Sequence, residues 1–587
     1  MKMFKRTTAA VLTVGMLLAT PAWAAEKEAS SVQEVKGGVE IVQSKSGTAG
    51  QPVPKVELNE KQRQALEKIY QIVPELKELS VESVHDEGEA AWGVTLSDRA
   101  GETAPGIMHA YAILVFETDT GELISLDIQN PDWASVELPP PGLAKEKAAE
   151  FARQVLGDKM KDYQMSDEIS HCGGGSRDDK GNEILWNYAS VQFYRLVNGI
   201  PLLNSGFRVN VDVAGHVTEY YTEGFYEKND GAKDGGPDPA LFPDPSQAMT
   251  REAAEKTFAG LLEMKLNYVE RQPLKYPVFG SKKVETRPVL MYTPLNYTLI
   301  DAVTGKPLDG FQEQPQTSRI SLVGEGRKLI AGTPEEAASL LAGEVGIDMT
   351  GMNFENVEER EALFAPEVKI KEYYWRSEPQ IGPDGRPDHS TMRFLHLSAV
   401  ADTGRVVGFN LQDESGRGKK AVVSREAAQE TAVQFMQRYL DKGAAELEMH
   451  VYPLHEESIP EWVDKSKLEG DGQRPEFHFT FTRTHQGIPV SDRSYSVTVD
   501  GLTGRITAFY DGNSSSAVAL PDSKNVVTAE AAKAEFLKSH PLRLFYLWPE
   551  YFGQKAPNPL LVYMPDYGGS WGYIDALTGK TVRVEMN

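Results

Sequence analysis

Phe193-Tyr-Arg-Leu-Val-Asn-Gly-Ile-Pro201, continued by Val209-Asn-Val-Asp212 and a turn at Ala214-Gly215, decides the reading because the chain writes this stretch twice. The second copy is Phe481-Thr-Arg-Thr-His-Gln-Gly-Ile-Pro489, followed by Val497-Thr-Val-Asp500 and Thr503-Gly504. The first part aligns without a gap at an offset of 288, with Phe, Arg, Gly, Ile and Pro in register. Each copy reads as a strand, a Gly-Ile-Pro turn, an alternating strand, a glycine-containing hairpin turn and a further strand, over 217–221 and 506–510. This pattern predicts a small antiparallel sheet in each half of the chain.

Around these sheets, helix starts recur with similar chemistry. They fall at Asn59-Glu-Lys-Gln62, Ala144-Lys-Glu-Lys147, Thr250-Arg-Glu-Ala253, Thr333-Pro-Glu-Glu336, Ser424-Arg-Glu-Ala427 and Thr528-Ala-Glu-Ala531. Most place a capping side chain before first-turn acids, and Thr333 with Glu336 spells a capping box. Each is followed by a β-rich region with a small turn, such as Asp119-Thr-Gly121, Val303-Thr-Gly305, Asp402-Thr-Gly404 or Leu577-Thr-Gly579. The expected unit is one helix on a small antiparallel sheet. Helix starts near 60, 145 and 250 return near 334, 425 and 528, so a trio of units is itself duplicated. The expected fold is therefore α+β, with six tandem modules in two duplicated halves. Boundaries fall at 57–142, 143–240, 241–310, 333–418, 419–518 and 519–587, with a connector at 311–332 containing Ile320-Ser-Leu-Val323.

The first 24 residues have the parts of a secretory signal: Lys2, Lys5 and Arg6, an apolar run from Ala9 to Thr20, and Ala22-Trp23-Ala24. Cleavage near Ala24 predicts a secreted protein, extracellular or associated with the cell envelope. The polar stretch 25–56 reads as a flexible leader. No later run approaches the roughly 20 apolar residues of a transmembrane helix. The formal charge is −24, and loss of the signal's three cations makes it −27, which disfavours nucleic acid and anionic lipid as partners. Cys172 is the only cysteine, so no internal disulfide can form.

A search for chemistry finds no constellation. His455-Glu-Glu-Ser458 lacks the second histidine of a zinc-protease helix, and the remaining histidines have no ligand spacing. No phosphate-binding glycine loop occurs, since Gly173-Gly-Gly175 precedes no GK(S/T). His171-Cys172 beside that glycine run could present a reactive thiolate, but it reads more simply as the tip of a hydrophilic insertion over 173–182. Asp178-Asp-Lys-Gly-Asn182 and Pro383-Asp-Gly385 read as turns instead of calcium loops. Arg195 and Arg483 occupy the same position in the two copies and are candidates to clamp a peptide carboxylate, or else to pair with Asp212 and Asp500. No catalytic, metal or cofactor residue is assigned.

The capped helix starts, Asn198-Gly-Ile-Pro201 and Gln486-Gly-Ile-Pro489, the Val-x-Val-Asp strands and the Asp-Ala-(Val/Leu)-Thr-Gly-Lys turns at Asp301 and Asp575 resemble the YcdB/YcdC repeated domain of exported bacterial proteins. That domain is in turn similar to PepSY and thermolysin-propeptide modules. The resemblance implies binding of secreted peptidases or extended peptides and brings no catalytic residues with it. A peptide- or protein-binding role is the first expectation, with an extracellular hydrolase sited between modules and a structural spacer as alternatives.

Overall fold

The computed structural model describes residues 57–584, apart from short stretches at 89, 99–108, 178–181, 224–236, 281–283, 296–297, 309–314, 363–364, 383–384, 455–458, 469–472, 514–517 and 567–571. The signal at 1–24, the leader at 25–56, His455 and most of Asp178-Asp-Lys-Gly-Asn182 fall outside the described residues.

The repeated stretch forms the same hairpin in both halves. Strand Glu183–Val197 turns into Ile200–Val211, and Glu476–His485 turns into Ile488–Asp500. Only two residues make each turn, Asn198-Gly199 (φ 49 and 76) and Gln486-Gly487 (φ 52 and 74). Two consecutive positive φ values match the right-handed twist of the flanking strands, and Asn-Gly supplies them at least cost. The turn is therefore one residue earlier than the sequence suggests, and Ile-Pro already opens the next strand. Below it, Phe193 stacks on Phe207 at 4.5 Å between ring centres, and Phe481 is fully buried.

Among the described residues six α-helices lie along the chain: α1 (Glu60–Ile72), α2 (Pro141–Leu156), α3 (Arg251–Leu261), α4 (Pro334–Leu340), α5 (Arg425–Tyr439) and α6 (Ala529–Ser539). Asn59 closes a reciprocal capping box, and Thr250, Ser424 and Thr528 each accept the backbone N–H three residues on. At α4, Thr333 accepts from Glu336, but Glu336 reaches back to the Gly332 N–H instead of the cap. The start expected at Ala144 lies inside α2, which begins at Pro141 because proline tolerates the first turn, where its missing N–H would be orphaned anyway.

Among the described residues the strands form two large mixed sheets, of 12 and 13 strands, and two short two-stranded ones, instead of six separate small sheets. The first carries the strands between Ser80 and Thr222, and α1 and α2 bury Leu66, Ile69, Ala148 and Phe151 against it. The second carries those between Met352 and Asp511, apart from the separate pair Gln380–Ile381 and Pro387–Asp388, with Leu341, Ala432, Phe435 and Met436 buried around α4 and α5. The connector also joins it, as strand Gln316–Gly324.

The last part of each half crosses to the other sheet. Strands Leu542–Leu547 and Leu560–Pro565 join the first sheet, flanked by Ile200–Val211 and Leu299–Asp301. Reciprocally, Met264–Pro273 and Thr286–Pro294 join the second, flanked by Ile488–Asp500 and Gly572–Asp575. The exchange is nearly symmetric at atomic detail. Tyr268 donates to the Pro521 carbonyl at 2.8 Å and Tyr546 to Pro243 at 2.5 Å, while Tyr292 donates to Val527 and Tyr563 to Met249, both at 2.9 Å. One apolar cluster holds Ala254 and Phe258 of α3 together with Ala532 and Phe536 of α6. A charged clamp adds to it: Arg493 donates twice to the buried Glu270 carboxylate, at 2.6 and 2.5 Å, and Asp492 accepts the Glu270 and Arg271 N–H groups at 2.9 Å.

Candidate binding site at the edge and open face of the first sheet

The two sheets treat one edge differently. In the second, the connector strand Gln316–Gly324 pairs antiparallel with Gly443–Val451 in unbroken register, from Gln316 opposite Val451 to Gly324 opposite Gly443. In the first, the strand in the same topological place is Tyr163–Arg177, which follows α2 as Gly443–Val451 follows α5. Met165 opposes Phe193 as Met449 opposes Phe481. Among the described residues, Tyr163–Arg177 pairs with Glu183–Val197 alone.

Local chemistry explains the difference. A 3-10 turn at Gly157–Asp162 and a bulge between Met165 and Ile169 take up the length that the connector covers in the other half. Beyond the bulge the strand runs on in unbroken register from Ile169, opposite Val191, to Arg177, opposite Glu183. The glycine run read as an insertion loop is therefore part of a strand. Its glycines are needed on one face only: a Cβ on Gly173 would lie 2.5 Å from Phe279 Cβ, and one on Gly175 would lie 2.8 Å from the Phe279 ring. Phe279 sits in the loop after strand Met264–Pro273 and is pinned by Asn187, whose amide accepts from the Phe279 N–H and donates to its carbonyl, both at 3.1 Å. At Gly174, on the other face, a Cβ would meet nothing within 4 Å.

The face of the first sheet turned away from the helices carries a polar row, with Asp127 opposite Glu219, Glu219 opposite Asn210, and Asn210 opposite Ser190. Asn210 donates to Glu219 at 2.5 Å and contacts Cys172 Sγ at 3.5 Å, while Arg208 approaches Glu219 at 3.6 Å. Crowding by neighbouring atoms, then the Glu219 charge, push the Asp127 carboxyl up to about 6, although part of the side chain stays open to water. Desolvation and then Glu219 likewise push the Cys172 thiol up to about 11, with Arg208 opposing. The shift of the exposed Cys172 thiol is away from the thiolate, opposite to what an activated nucleophile requires. These carboxylates were not singled out from the sequence, and the available signal was their place on the polar side of alternating strands.

The second sheet fills the corresponding row with Asn410, Ala508, Thr498 and His478. Its charges are neutralised instead. Burial would raise Glu372, but His396 and Arg360, the latter at 2.8 Å, hold it down to about 2. Glu448 is held to about 2 in the same way by His450 and by Lys265, an exchanged-strand residue at 2.5 Å.

The candidate arginines lie far from the aspartates proposed as their partners. Arg195 is opposite Leu202, whereas Asp212 follows Val211, which is opposite Ala189 at the far end of the strand pair. Arg483 donates to Asp441 at 3.0 Å and to the Tyr495 hydroxyl at 2.7 Å. Asp500 instead pairs with Arg474 and accepts the Thr503 N–H at 2.6 Å. Asp301 and Asp575 accept the N–H groups of Thr304 and Thr578 in the same way, so the recurrent aspartate is a turn cap. Among the described residues no group of three or more His, Cys, Asp or Glu is placed to hold a metal ion, and no helix is long and apolar enough to cross a membrane.

This is a sheet-dominated α+β architecture with two repeated regions. Residues 59–224 and 352–513, together more than half of the chain, match the family model described as the YcdB, YcdC repeated domain, and the chain belongs to that family. The matched regions leave out the exchanged strands and the connector. Among solved structures the chain is similar to the Bacillus megaterium YpeB C-terminal domain, at 12% identity over 44% of this chain and 100% of that one, with a TM-score of 0.22. No curated protein matches.

Proposed function

We propose that this is an exported, non-enzymatic protein that binds proteins or peptides in extended form at its sheet edges. Modulation of secreted peptidases is the role suggested by the PepSY resemblance. In this reading the chain comprises six PepSY-like helix-and-sheet units, of which the third and sixth complete each other by exchanging strands. The observation that carries the reading is the connector: this fold already accepts an extended segment, nine residues in antiparallel register, at the edge of Gly443–Val451. Main-chain hydrogen bonds supply affinity in such an arrangement, so no preformed cavity is needed. The upward shift of the Cys172 thiol, away from an activated thiolate, and the use of the recurrent aspartates as turn caps support binding over hydrolysis.

The test is a panel of secreted proteases assayed with and without the purified protein, alongside capture of peptides from an array. Inhibition or protection of at least one protease, or saturable peptide capture, is the expected outcome. Neither effect across the panel and the array would sink the reading and favour a structural spacer. Substrate turnover by the protein alone would favour the hydrolase.

A further inference from the structure

We propose that the outer edge of residues 169–176 is a docking site for an extended segment of another protein, added antiparallel, with an aromatic side chain over Gly174. The proposal rests on the peptide-binding reading above and locates it. Edge strands are normally guarded by charge, proline, bulges or a covering segment. The edge strand Met352–Ala362 follows that rule, with Glu355, Glu358, Glu359, Arg360 and Glu361 along it. Residues 169–176 (Ile-Ser-His-Cys-Gly-Gly-Gly-Ser) carry neither proline nor carboxylate, and the bulge lies before them. Their register with 184–191 is unbroken, so the outward N–H and C=O groups form a continuous row.

Two observations define the occupant. In the other half an extended strand sits antiparallel on Gly443–Val451, whose last residue corresponds to Ile169, so that precedent reaches this edge at its first residue and shows the sense in which a strand adds here. The glycine run also shows what fits it: on one face, Phe279 lies where side chains of Gly173 and Gly175 would have been. On the opposite face the position over Gly174 is open, and an aromatic cross-strand neighbour is the side chain that best covers an edge glycine. With a chain charge of −24, basic residues flanking that aromatic complement the surface.

The experiment is hydrogen–deuterium exchange on the mature chain with two synthetic heptapeptides. One alternates threonine and lysine around a central phenylalanine, and the other has glycine at the centre. The expected result is exchange slowed roughly ten-fold or more at 169–176, with the phenylalanine peptide binding about ten-fold more tightly. Gly174→Lys, in open space, should lose that binding with an unchanged melting temperature, and Ser170→Lys gives a second, independent loss. Slow exchange at the outward-facing amides of 169–176, those not bonded to 184–191, before any peptide is added would mean the chain covers its own edge, and would overturn the proposal. Protection confined to 80–86 or 352–362 would overturn the site but leave the peptide-binding reading standing. No protection anywhere with either peptide would count against both.

Discussion

The two halves share a hairpin and differ at its margin. Phe193–Pro201 and Phe481–Pro489 fold alike, down to the paired positive φ values at 198–199 and 486–487. Yet the second sheet covers its edge with the connector and neutralises its buried acids, while the first pairs residues 169–177 on one side only among the described residues and keeps Asp127 beside Glu219. Positions that make the fold are retained between the copies; positions at edges and on open faces have diverged. Divergence at those places is what the proposed docking site rests on.

The largest expected effect lies where the halves interlock. Arg493→Ala would leave the Glu270 carboxylate buried without its partner and should cost about 3–5 kcal/mol, read as a lowered denaturation midpoint. A loss below about 1 kcal/mol would mean the clamp does not hold the exchange. Next comes Gly206→Ala. Gly206 has φ 132, and its Cβ would lie 1.9 Å from the Phe193 carbonyl oxygen, so a loss of about 2–4 kcal/mol is expected. Gly174→Ala should change stability by less than about 0.5 kcal/mol, and equal losses at the two glycines would contradict the assignment of the open edge.

The acids of the two faces should respond to pH in opposite senses. Glu372, held near 2 against an ordinary 4.5, stabilises fully above pH 4.5, and the contribution drains away as pH falls toward 2. Glu372→Gln should therefore cost about 1–3 kcal/mol at pH 7 and almost nothing at pH 2, measured by urea unfolding. Asp127 is shifted the other way, from 3.8 up to about 6, so it carries no penalty below pH 3.8 and an increasing one as pH rises through 6. Asp127→Asn should stabilise slightly at pH 7.5, by less than about 1 kcal/mol given its exposure, and not at pH 3.5. A stabilisation independent of pH would point to packing instead of charge.

Much of the scaffold was legible in the sequence because its signals are local. Asn59, Thr250, Ser424 and Thr528 cap helices as their spacing implies, and the Asp-x-x-Thr-Gly turns at Asp301 and Asp575 close as expected. Strand exchange was not legible, because α3 and α6 are followed by near-identical patterns that could pair within a unit or across units. Which pairing wins depends on Tyr268, Tyr546 and Glu270 meeting partners more than 200 residues away. The glycine run was read as a loop because Gly173-Gly-Gly175 signals a break locally. The docking of Phe279 that makes it a strand arrives from the other sheet. The polar row was hidden for a similar reason: Asp127, Glu219 and Asn210 are neighbours only through strand register.

The exchange itself can be tested by cutting the chain between its halves. A specific protease site is introduced within residues 309–314, the folded protein is cleaved there, and the products are sized under native conditions. The two fragments should co-migrate as a full-size particle until denaturant is added. Separation into two folded, half-size species would show that each half completes its own sheets, and the reciprocal exchange would be wrong.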